Sequence, residues 1–339
     1  MLRYPFTETP ELGQSISVAP GVQWLRIPLP ASIKNINVWV IDEGERIAIV
    51  DTGMSAPESV AAWRAAFAGP LARRQVSRVV ATHLHPDHIG LAGLFTRRYD
   101  CRLWITRLEY FSCRSLAADT GREAPADAIR FYRAAGWNED DLEHYRSRFG
   151  AFGKALHPLP DSFVGIADGD EIRIGEHIWR VVVGSGHSPE HACLYCPELA
   201  LFISGDQILP RISSNVAVYP TEPEANPLDD WITSLTRIKQ QVPADVLVLP
   251  AHRDPFHGLH ERIDELVSGH RRDLGTLTEH LEQPRRVIDC FAALYSRPID
   301  DGNRLLATGE CLAHLNYLIA QGIVRRDVDD TDIAWYRKI

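Results

Sequence analysis

Short apolar runs separated by turn residues predict that the first part of the chain forms mainly β-strands. These runs lie at residues 22–30, 36–42, 46–50, 79–81 and 102–106. Residues 58–68 instead have apolar side chains at helical spacing, with Trp63 and Phe67 on one face, and residues 89–99 are predicted to form a second helix. Strands and helices that alternate in this order predict a layered α/β architecture.

A second group of strands is predicted after residue 170. The corresponding runs are 170–174, 178–183, 192–196, 200–204 and 246–249. Between the two groups, residues 108–157 contain helical stretches at 126–135 and 140–149 and no strand pattern. We therefore expect a helical insertion at 108–157 and interpret it as a cap over the functional site.

The tail of the chain is predicted to form a small separate domain. Helical periodicity after residue 261 ends at Pro284, and the two predicted domains are 1–283 and 284–339. Within the tail the predicted elements are helices at 287–296 and 308–321 and a hairpin of 323–326 with 333–336. Helices followed by a two-stranded wing indicate a winged-helix-like domain. Its positive and negative charges nearly balance, whereas a DNA-binding wing is usually basic, so packing or formation of a homodimer is the expected role.

Composition limits the classes of partner. The 339 residues are 45% hydrophobic and carry a net charge of −9, values that suit a globular protein and disfavour a nucleic-acid or anionic-membrane partner. A small-molecule substrate is the expected partner. No apolar window approaches the roughly eighteen residues that span a bilayer, and the start lacks the features of a signal peptide. Six scattered cysteines suit reduced thiols, so a cytoplasmic location is expected.

The strongest chemical signal is the stretch T-H-L-H-P-D-H at residues 82–88, which follows a predicted strand. In an extended segment alternate side chains share a face, so His83 and His85 can bind one ion. Asp87 and His88 lie beyond the proline and can turn toward a second ion. Imidazole and carboxylate groups are ligands that zinc prefers, so this stretch predicts a metal site.

The same sequence pattern, an apolar strand followed by a ligand-type side chain, recurs along the chain. Its further instances are His187 in a glycine-rich loop, Asp206, and His252. Ligands carried on rigid strand ends preorganise a metal site. Asp51 also ends a predicted strand and either caps the turn or lies behind the metal loop and orients a ligand. His191 is interpreted as a residue that orients a ligand, in preference to an additional ligand.

Taken in order, these motifs resemble the metallo-β-lactamase superfamily. The resemblance is carried by H-x-H-x-D-H at 83–88, then His187, Asp206 and His252, and spans about residues 20–270. It implies an αββα sandwich with a dinuclear site at one edge of two packed sheets. The tail is similar, by a weaker match, to the winged-helix extension of the LACTB2-like branch.

The resemblance also implies the role of each ligand. It implies that His83, His85 and His187 hold a first ion, that Asp87, His88 and His252 hold a second, that Asp206 bridges both, and that Asp51 is the acidic residue before the metal loop. Two zinc ions are expected. Iron and manganese are alternatives, because single-iron persulfide dioxygenases share much of this pattern.

These residue types favour hydrolysis. Two ions about 3.5–4 Å apart can share a hydroxide that attacks a carbonyl or phosphoryl centre, and Asp87 is the expected catalytic residue that orients it. The loop 186–191 resembles the glyoxalase-II-like signature, which favours a small thioester or activated ester as substrate. One alternative is an endoribonuclease of the LACTB2 type, which the negative charge disfavours. The other is a non-catalytic interaction or regulatory protein that uses its winged helix.

Substrate contacts are predicted from polar side chains near the ligand motifs. They are Asn35, Asn37, Arg211 and Tyr219. The insertion also carries several arginines that could bind the phosphates of RNA or of a coenzyme A thioester, namely Arg114, Arg122, Arg130, Arg133, Arg146 and Arg148.

Overall fold

The computed structural model describes residues 2–30 and 33–339. The chain forms two compact units, each built from separate stretches of sequence. The first unit contains Met1–Thr120, Gly150–Ser214 and Arg237–Arg262, and the second contains Gly121–Phe149, Asn215–Thr236 and Ile263–Ile339. Among the helices of the described residues, none has the length and apolar character needed to span a bilayer.

The α-helices of the described residues, in chain order, are α1 (Pro57–Ala68), α2 (Pro86–Ile89), α3 (Ala92–Tyr99), α4 (Arg107–Ala118), α5 (Ala126–Ala134), α6 (Glu139–Arg148), α7 (Ala151–Lys154), α8 (Pro227–Gln241), α9 (Leu259–His280), α10 (Phe291–Leu294) and α11 (Arg304–Ala320). A short 3-10 helix, Ile288–Cys290, precedes α10.

A seven-stranded sheet forms one layer of the first unit, with its strands in chain order. They are β1 (Ile16–Ala19), β2 (Val22–Pro28), β3 (Asn35–Glu43), β4 (Arg46–Val50), β5 (Gln75–Val80), β6 (Arg102–Thr106) and β7 (Val164–Ile166). β1 to β4 form an antiparallel meander. β4 to β7 run parallel, and α1 and α3 lie in the connections between them.

A six-stranded sheet forms the other layer, in the order β13-β12-β11-β10-β9-β8. Its strands are β8 (Glu171–Ile174), β9 (His177–Gly184), β10 (His191–Cys196), β11 (Leu201–Gly205), β12 (Leu247–Pro250) and β13 (Phe256–His257). β8 to β11 are antiparallel, whereas β11 and β12 are parallel neighbours. β11 and β12 therefore end at the same edge of this sheet.

The two sheets pack face to face. Trp24 and Trp39 of the first sheet share one buried apolar cluster with Trp179 of the second. The other face of the first sheet packs against α1 and α3, where the rings of Trp63 and Phe95 lie 4.8 Å apart in an edge-to-face arrangement. Alternating apolar positions along the strands supply both faces, since successive side chains point to opposite sides of a sheet. The predicted mixed α/β sandwich is confirmed.

The second unit differs from the predicted tail domain. It combines the tail with α5 and α6 of the insertion, whereas α4 and α7 belong to the first unit. Trp137 Nε1 donates a buried hydrogen bond to Thr308 Oγ1 over 3.0 Å, and the amide of Ile288 donates to the carbonyl of Ala135 over 3.2 Å. The whole predicted tail lies in this unit, where it packs against a segment distant in sequence, and the boundary at 283–284 stays a prediction.

Within the tail, the helix predicted at 287–296 is shorter, because only the 3-10 helix and α10 form there. The second predicted helix is α11, which begins at Arg304. The predicted hairpin is present as the antiparallel pair β14 (Val324–Val328) and β15 (Ala334–Lys338). Whether these elements constitute a winged helix stays a prediction.

Candidate metal centre

Two pairs of parallel strands carry the predicted ligands at their carboxyl ends. Asp51 follows β4 and residues 82–88 follow its neighbour β5, whereas Asp206 follows β11 and His252 follows its neighbour β12. The carboxyl ends of parallel neighbours lie at the same edge of a sheet, which is where α/β proteins commonly bind ligands. This topology brings together side chains that are up to two hundred residues apart in sequence.

His83, His85 and His187 form the first group of candidate ligands. Nε2 of His83 lies 2.8 Å from Nδ1 of His85 and 3.2 Å from Nε2 of His187. His83 is fully buried at the end of β5, and His187 lies in the loop between β9 and β10. Three imidazole nitrogens at this separation can hold one divalent ion.

Asp87, His88 and His252 form the second group. Oδ2 of Asp87 lies 3.7 Å from Nε2 of His88 and 3.3 Å from Nε2 of His252. The short helix α2 starts at Pro86, a residue favoured at the first helical position, so the backbone turns between His85 and Asp87. The turn separates the two ligand groups of this one stretch, as the extended-then-turned pattern predicted.

The carboxylate of Asp206 lies between the two groups. Its Oδ2 is 3.6 Å from Nε2 of His187 and 3.5 Å from Nε2 of His88, and its Oδ1 is 3.5 Å from Nε2 of His252. One side chain thus faces ligands of both groups. This is the position that a carboxylate bridging two ions must occupy.

Two atoms of this centre are buried without a hydrogen-bond partner among the described residues: Nε2 of His88 and Oδ1 of Asp206. Leaving such an atom unsatisfied costs roughly 1–3 kcal/mol, so native proteins normally provide a partner. Coordination to cations would satisfy both atoms, and the mixed imidazole and carboxylate donors match a borderline divalent ion. The residues present therefore fit a two-ion site.

Asp51 lies behind the metal loop and orients His88. Its Oδ2 accepts a 2.7 Å hydrogen bond from Nδ1 of His88, and its two carboxylate oxygens accept 2.8 Å bonds from the amide and the hydroxyl of Thr82. Asp51 is buried and adopts a left-handed backbone conformation with φ 60°. Of the two roles open to Asp51 in the sequence, its contacts therefore favour orienting a ligand.

Two further contacts fix the orientation of ligands. The amide of Asp206 donates a 3.0 Å hydrogen bond to Nε2 of the buried His191, so this ring nitrogen is engaged by the protein backbone. Nδ1 of His252 lies 3.0 Å from the carbonyl oxygen of Asn35, which leaves Nε2 of His252 for an ion. Asn35 thus orients the ring of His252 through its backbone carbonyl.

Glu109, on α4, is a residue that sequence reasoning missed. Its Oε2 accepts a 2.9 Å hydrogen bond from the amide of Leu84, and its Oε1 accepts a 2.8 Å bond from the amide of Glu190. The side chain is fully buried, and burial raises the pKa of Glu109 to about 7. Glu109 joins the loop of His83 and His85 to the loop of His187. No local pattern around residue 109 indicates this role.

The protonation preferences of the two groups differ. Burial, followed by neighbouring imidazoles, lowers the pKa of His83 well below its usual value and that of His85 to about 3. Burial also acts to lower the pKa of His88 and His252, but the surrounding carboxylates outweigh it and raise both. For Asp87, burial is outweighed by His88 and His252, which hold its pKa at about 2. In the absence of an ion, His88 and His252 of the second group therefore keep their protons to a higher pH than His83 and His85 of the first.

The predicted substrate contact of Asn37 is not supported, because its side chain is 1% exposed and engaged by the protein. Oδ1 accepts hydrogen bonds from Trp24 and Arg26, and Nδ2 donates to the carbonyls of Pro250 and Arg253. Asn37 therefore holds the backbone on either side of the ligand at position 252.

Arg211 and Tyr219 lie in different units. Arg211 is exposed, with its guanidinium over the ring of Tyr4 at 4.6 Å and 3.8 Å from Asp254. Tyr219 belongs to the second unit and is 38% exposed. Substrate contacts by Arg211 and Tyr219 stay predictions, as does one by the half-buried side chain of Asn35.

The arginines of the insertion do not form one free cationic surface. Arg114 belongs to the first unit, and the others belong to the second. Arg130 pairs with Asp127, and Arg133 and Arg146 both pair with Glu139. These ion pairs neutralise much of the charge that the sequence offered for phosphate binding.

Comparisons with known proteins agree with this geometry. Residues 33–252 match the metallo-beta-lactamase superfamily, and residues 274–339 match the metallo-beta-lactamase-like C-terminal domain. A beta-lactamase domain protein from Burkholderia ambifaria is 36% identical and superposes with a TM-score of 0.91, over 100% of this chain and 98% of its own. The metallo-beta-lactamase family protein TTHA1429 from Thermus thermophilus is 26% identical with a TM-score of 0.80, over 95% of this chain and 100% of its own.

Several curated relatives have named activities, and they include thioesterases and a linear primary-alkylsulfatase from a Pseudomonas species. The acyl-coenzyme A thioesterase MBLAC2 of Bos taurus is 24% identical over 75% of this chain and 85% of its own length. The family match covers well over half of the present chain and includes all seven candidate ligands, with His252 at its end. The chain belongs to the metallo-beta-lactamase superfamily.

Proposed function

We propose that this chain is a metal-dependent hydrolase that cleaves a small thioester or a related activated ester. The observation that carries the proposal is the position of Asp206, within 3.5–3.6 Å of histidine nitrogens from both ligand groups. A single structural ion needs only four ligands, whereas seven ligand-type side chains converge here. This surplus favours a catalytic centre over the alternative of a non-catalytic interaction or regulatory protein.

Zinc is the proposed ion, supported by the mixture of imidazole and carboxylate donors. When bound, two such ions supply a lowered pKa for a water molecule and stabilisation of negative charge on the substrate oxygen. Asp206 and the surrounding histidines would hold the pair, and Asp51 fixes the ring of His88. The carboxylate of Asp87 is 22% exposed and thus reachable by water, so we assign it the role of orienting the attacking water.

A thioester is favoured over RNA for two reasons. The chain carries a net charge of −9, which repels a polyanion, and three arginines of the second unit, Arg130, Arg133 and Arg146, pair with carboxylates. The similarity to an acyl-coenzyme A thioesterase supports an acyl substrate. Cleavage of RNA, as in the LACTB2-like branch, is therefore the second candidate activity, after thioester hydrolysis.

The proposal is tested by assaying acyl-coenzyme A thioesters and a labelled single-stranded RNA side by side. The wild type, His85→Ala and His144→Ala are compared, since His144 is an exposed histidine of the second unit and serves as the control. We expect thioester hydrolysis that is lost in His85→Ala and kept in His144→Ala. RNA cleavage that is lost in His85→Ala, with no acyl hydrolysis in any sample, would reverse the order of the two substrates.

We further propose that the tail serves packing or formation of a homodimer, as the winged-helix interpretation of a charge-balanced tail suggests. Sedimentation analysis of the full chain with and without duplex DNA tests this. A dimer or monomer whose mass DNA leaves unchanged supports it, and salt-sensitive DNA binding contradicts it. A cytoplasmic location is proposed on the basis of six free cysteines, which suit a reducing compartment.

A further inference from the structure

The second unit contains its own cluster of metal-ligand side chains. His270 and Asp273 lie on α9, and His314 lies on α11. One ligand atom from each lies within 4.8 Å of the other two, and Nδ1 of His270 is 3.1 Å from Nε2 of His314. None of these residues belongs to the centre formed by the first unit.

Helix geometry explains how the cluster forms. Residues three apart on a helix share a face, so His270 and Asp273 point to the same side of α9. His314 donates from Nδ1 to the carbonyl oxygen of Glu310, one turn earlier on α11, over 2.8 Å. This bond leaves the lone pair on Nε2 of His314 facing the cluster. Metal-binding histidines typically donate their other ring nitrogen to a carbonyl in this way.

Both imidazoles are buried, and His270 favours the neutral form. His270 and His314 are 4% and 2% exposed, and the ring of Trp231 packs edge-on against His270 at 5.0 Å. Burial, and then the proximity of His314, lowers the pKa of His270 to about 3. A neutral imidazole is the form that binds metal ions, so an ion at this cluster has only to displace the proton that His270 shares with Nε2 of His314.

Asp273 distinguishes this cluster from an ordinary pair of hydrogen-bonded histidines. Its carboxylate is accessible to solvent, and burial raises the pKa of Glu310 and Tyr295, to which the nearby charge of Asp273 adds. A histidine pair needs no carboxylate beside it. A carboxylate beside two neutral histidines offsets part of the charge of a divalent ion, and the accessible side of Asp273 offers a path of entry and a position for water.

We propose that His270, Asp273 and His314 form an additional site for a divalent ion such as zinc, which cross-links α9 and α11 and completes its coordination with water. Two imidazoles and one carboxylate are a donor set that zinc accepts in proteins. Because the ion would join two helices of the second unit, its role is to stabilise that unit.

The test measures zinc bound per chain after saturation and removal of excess metal. We expect His314→Gln and His270→Gln to hold one equivalent less than the wild type, with thioester turnover unchanged. His144→Gln, which alters an exposed histidine outside the cluster, should hold as much as the wild type. The same zinc content in wild type and both cluster variants, each folded by circular dichroism, would overturn the proposal.

Asp273→Asn provides a second variant in case a buried substitution prevents folding, since Asp273 is accessible to solvent. We expect it to weaken binding of the additional equivalent at least roughly tenfold in competition with a chelator, because even loss of a residue behind a ligand has an effect of that size. Unchanged affinity would contradict the proposal. Turnover separates this test from the proposed hydrolase function, which depends on the residues of the first unit alone.

Discussion

Nδ1 of His88 donates a 2.7 Å hydrogen bond to Oδ2 of Asp51, and both side chains are buried. The bond joins the end of β4 to the metal loop after β5, and it fixes which nitrogen of the ring carries the proton. Nε2 of His88 is thereby left for an ion, and it has no hydrogen-bond partner of its own among the described residues. The orientation of the candidate ligand His88 thus depends on Asp51, which is not itself a candidate ligand.

The first prediction concerns this contact. Asp51→Asn keeps the shape of the side chain but removes its charge, so the ring of His88 becomes a poorer and less fixed ligand. We expect zinc affinity at the second group to fall roughly 10–100-fold. Competition with a chelator measures this, with Asp161→Asn, an exposed carboxylate of the same unit, as control. Equal affinity in Asp51→Asn and the control would rule out the orienting role.

A second prediction concerns Glu109. Glu109→Ala leaves the buried amides of Leu84 and Glu190 without an acceptor, at a cost of roughly 1–3 kcal/mol for each. We expect a lower free energy of unfolding and weaker zinc binding, because the two ligand loops are no longer joined. Glu109→Gln, which keeps one acceptor oxygen, should show a smaller loss of both. Denaturant unfolding and chelator competition measure them.

Glu58→Ala alters an exposed carboxylate of the same unit and serves as the control for Glu109. If Glu109→Ala destabilises the protein but binds zinc as tightly as Glu58→Ala does, then Glu109 supports the fold without positioning ligands.

A third prediction follows from the pKa differences between the two groups. Carboxylates raise the pKa of His88 and His252, so protons compete with the ion there at a higher pH than at His83 and His85, whose pKa values are lowered. As pH falls, the ion of the second group should leave first. Zinc content after dialysis at decreasing pH, measured in His314→Gln to remove the proposed additional site, should fall in two steps.

Simultaneous loss of both ions in a single step would contradict this ordering. Loss that does not depend on pH would contradict the assignment of histidines as ligands altogether.

Local patterns predicted a layered α/β architecture and ligand-type side chains at strand ends, and the resemblance to the superfamily implied the sandwich and a shared metal site. Apolar strands that end near His83, Asp206 and His252 indicate at which edge of a sheet the metal site lies. The turn at Pro86 separates the two groups of candidate ligands. The short edge strands β1, β7 and β13 were missed. They contain two to four residues, too few for an alternation to be recognised.

Contacts between segments distant in sequence could not be predicted in this way. Glu109 acts through the backbone amides of other loops, and the side chain of Asn37, predicted as a substrate contact, donates to backbone carbonyls more than two hundred residues away in sequence. Within the second unit, Trp137 of the insertion donates a hydrogen bond to Thr308 of the tail, a pairing that neither segment encodes alone.

The central claim, that Asp206 joins two ion sites into one hydrolytic centre, is tested most directly by turnover of Asp206→Ala on an acyl-coenzyme A thioester. Its matched control is Asp161→Ala, and zinc content and circular dichroism are recorded on the same samples. We predict that Asp206→Ala retains the fold but loses roughly a thousand-fold or more in turnover, because groups that act as a unit are lost together. Asp161→Ala should match the wild type. Turnover of folded Asp206→Ala equal to that of Asp161→Ala would contradict the claim.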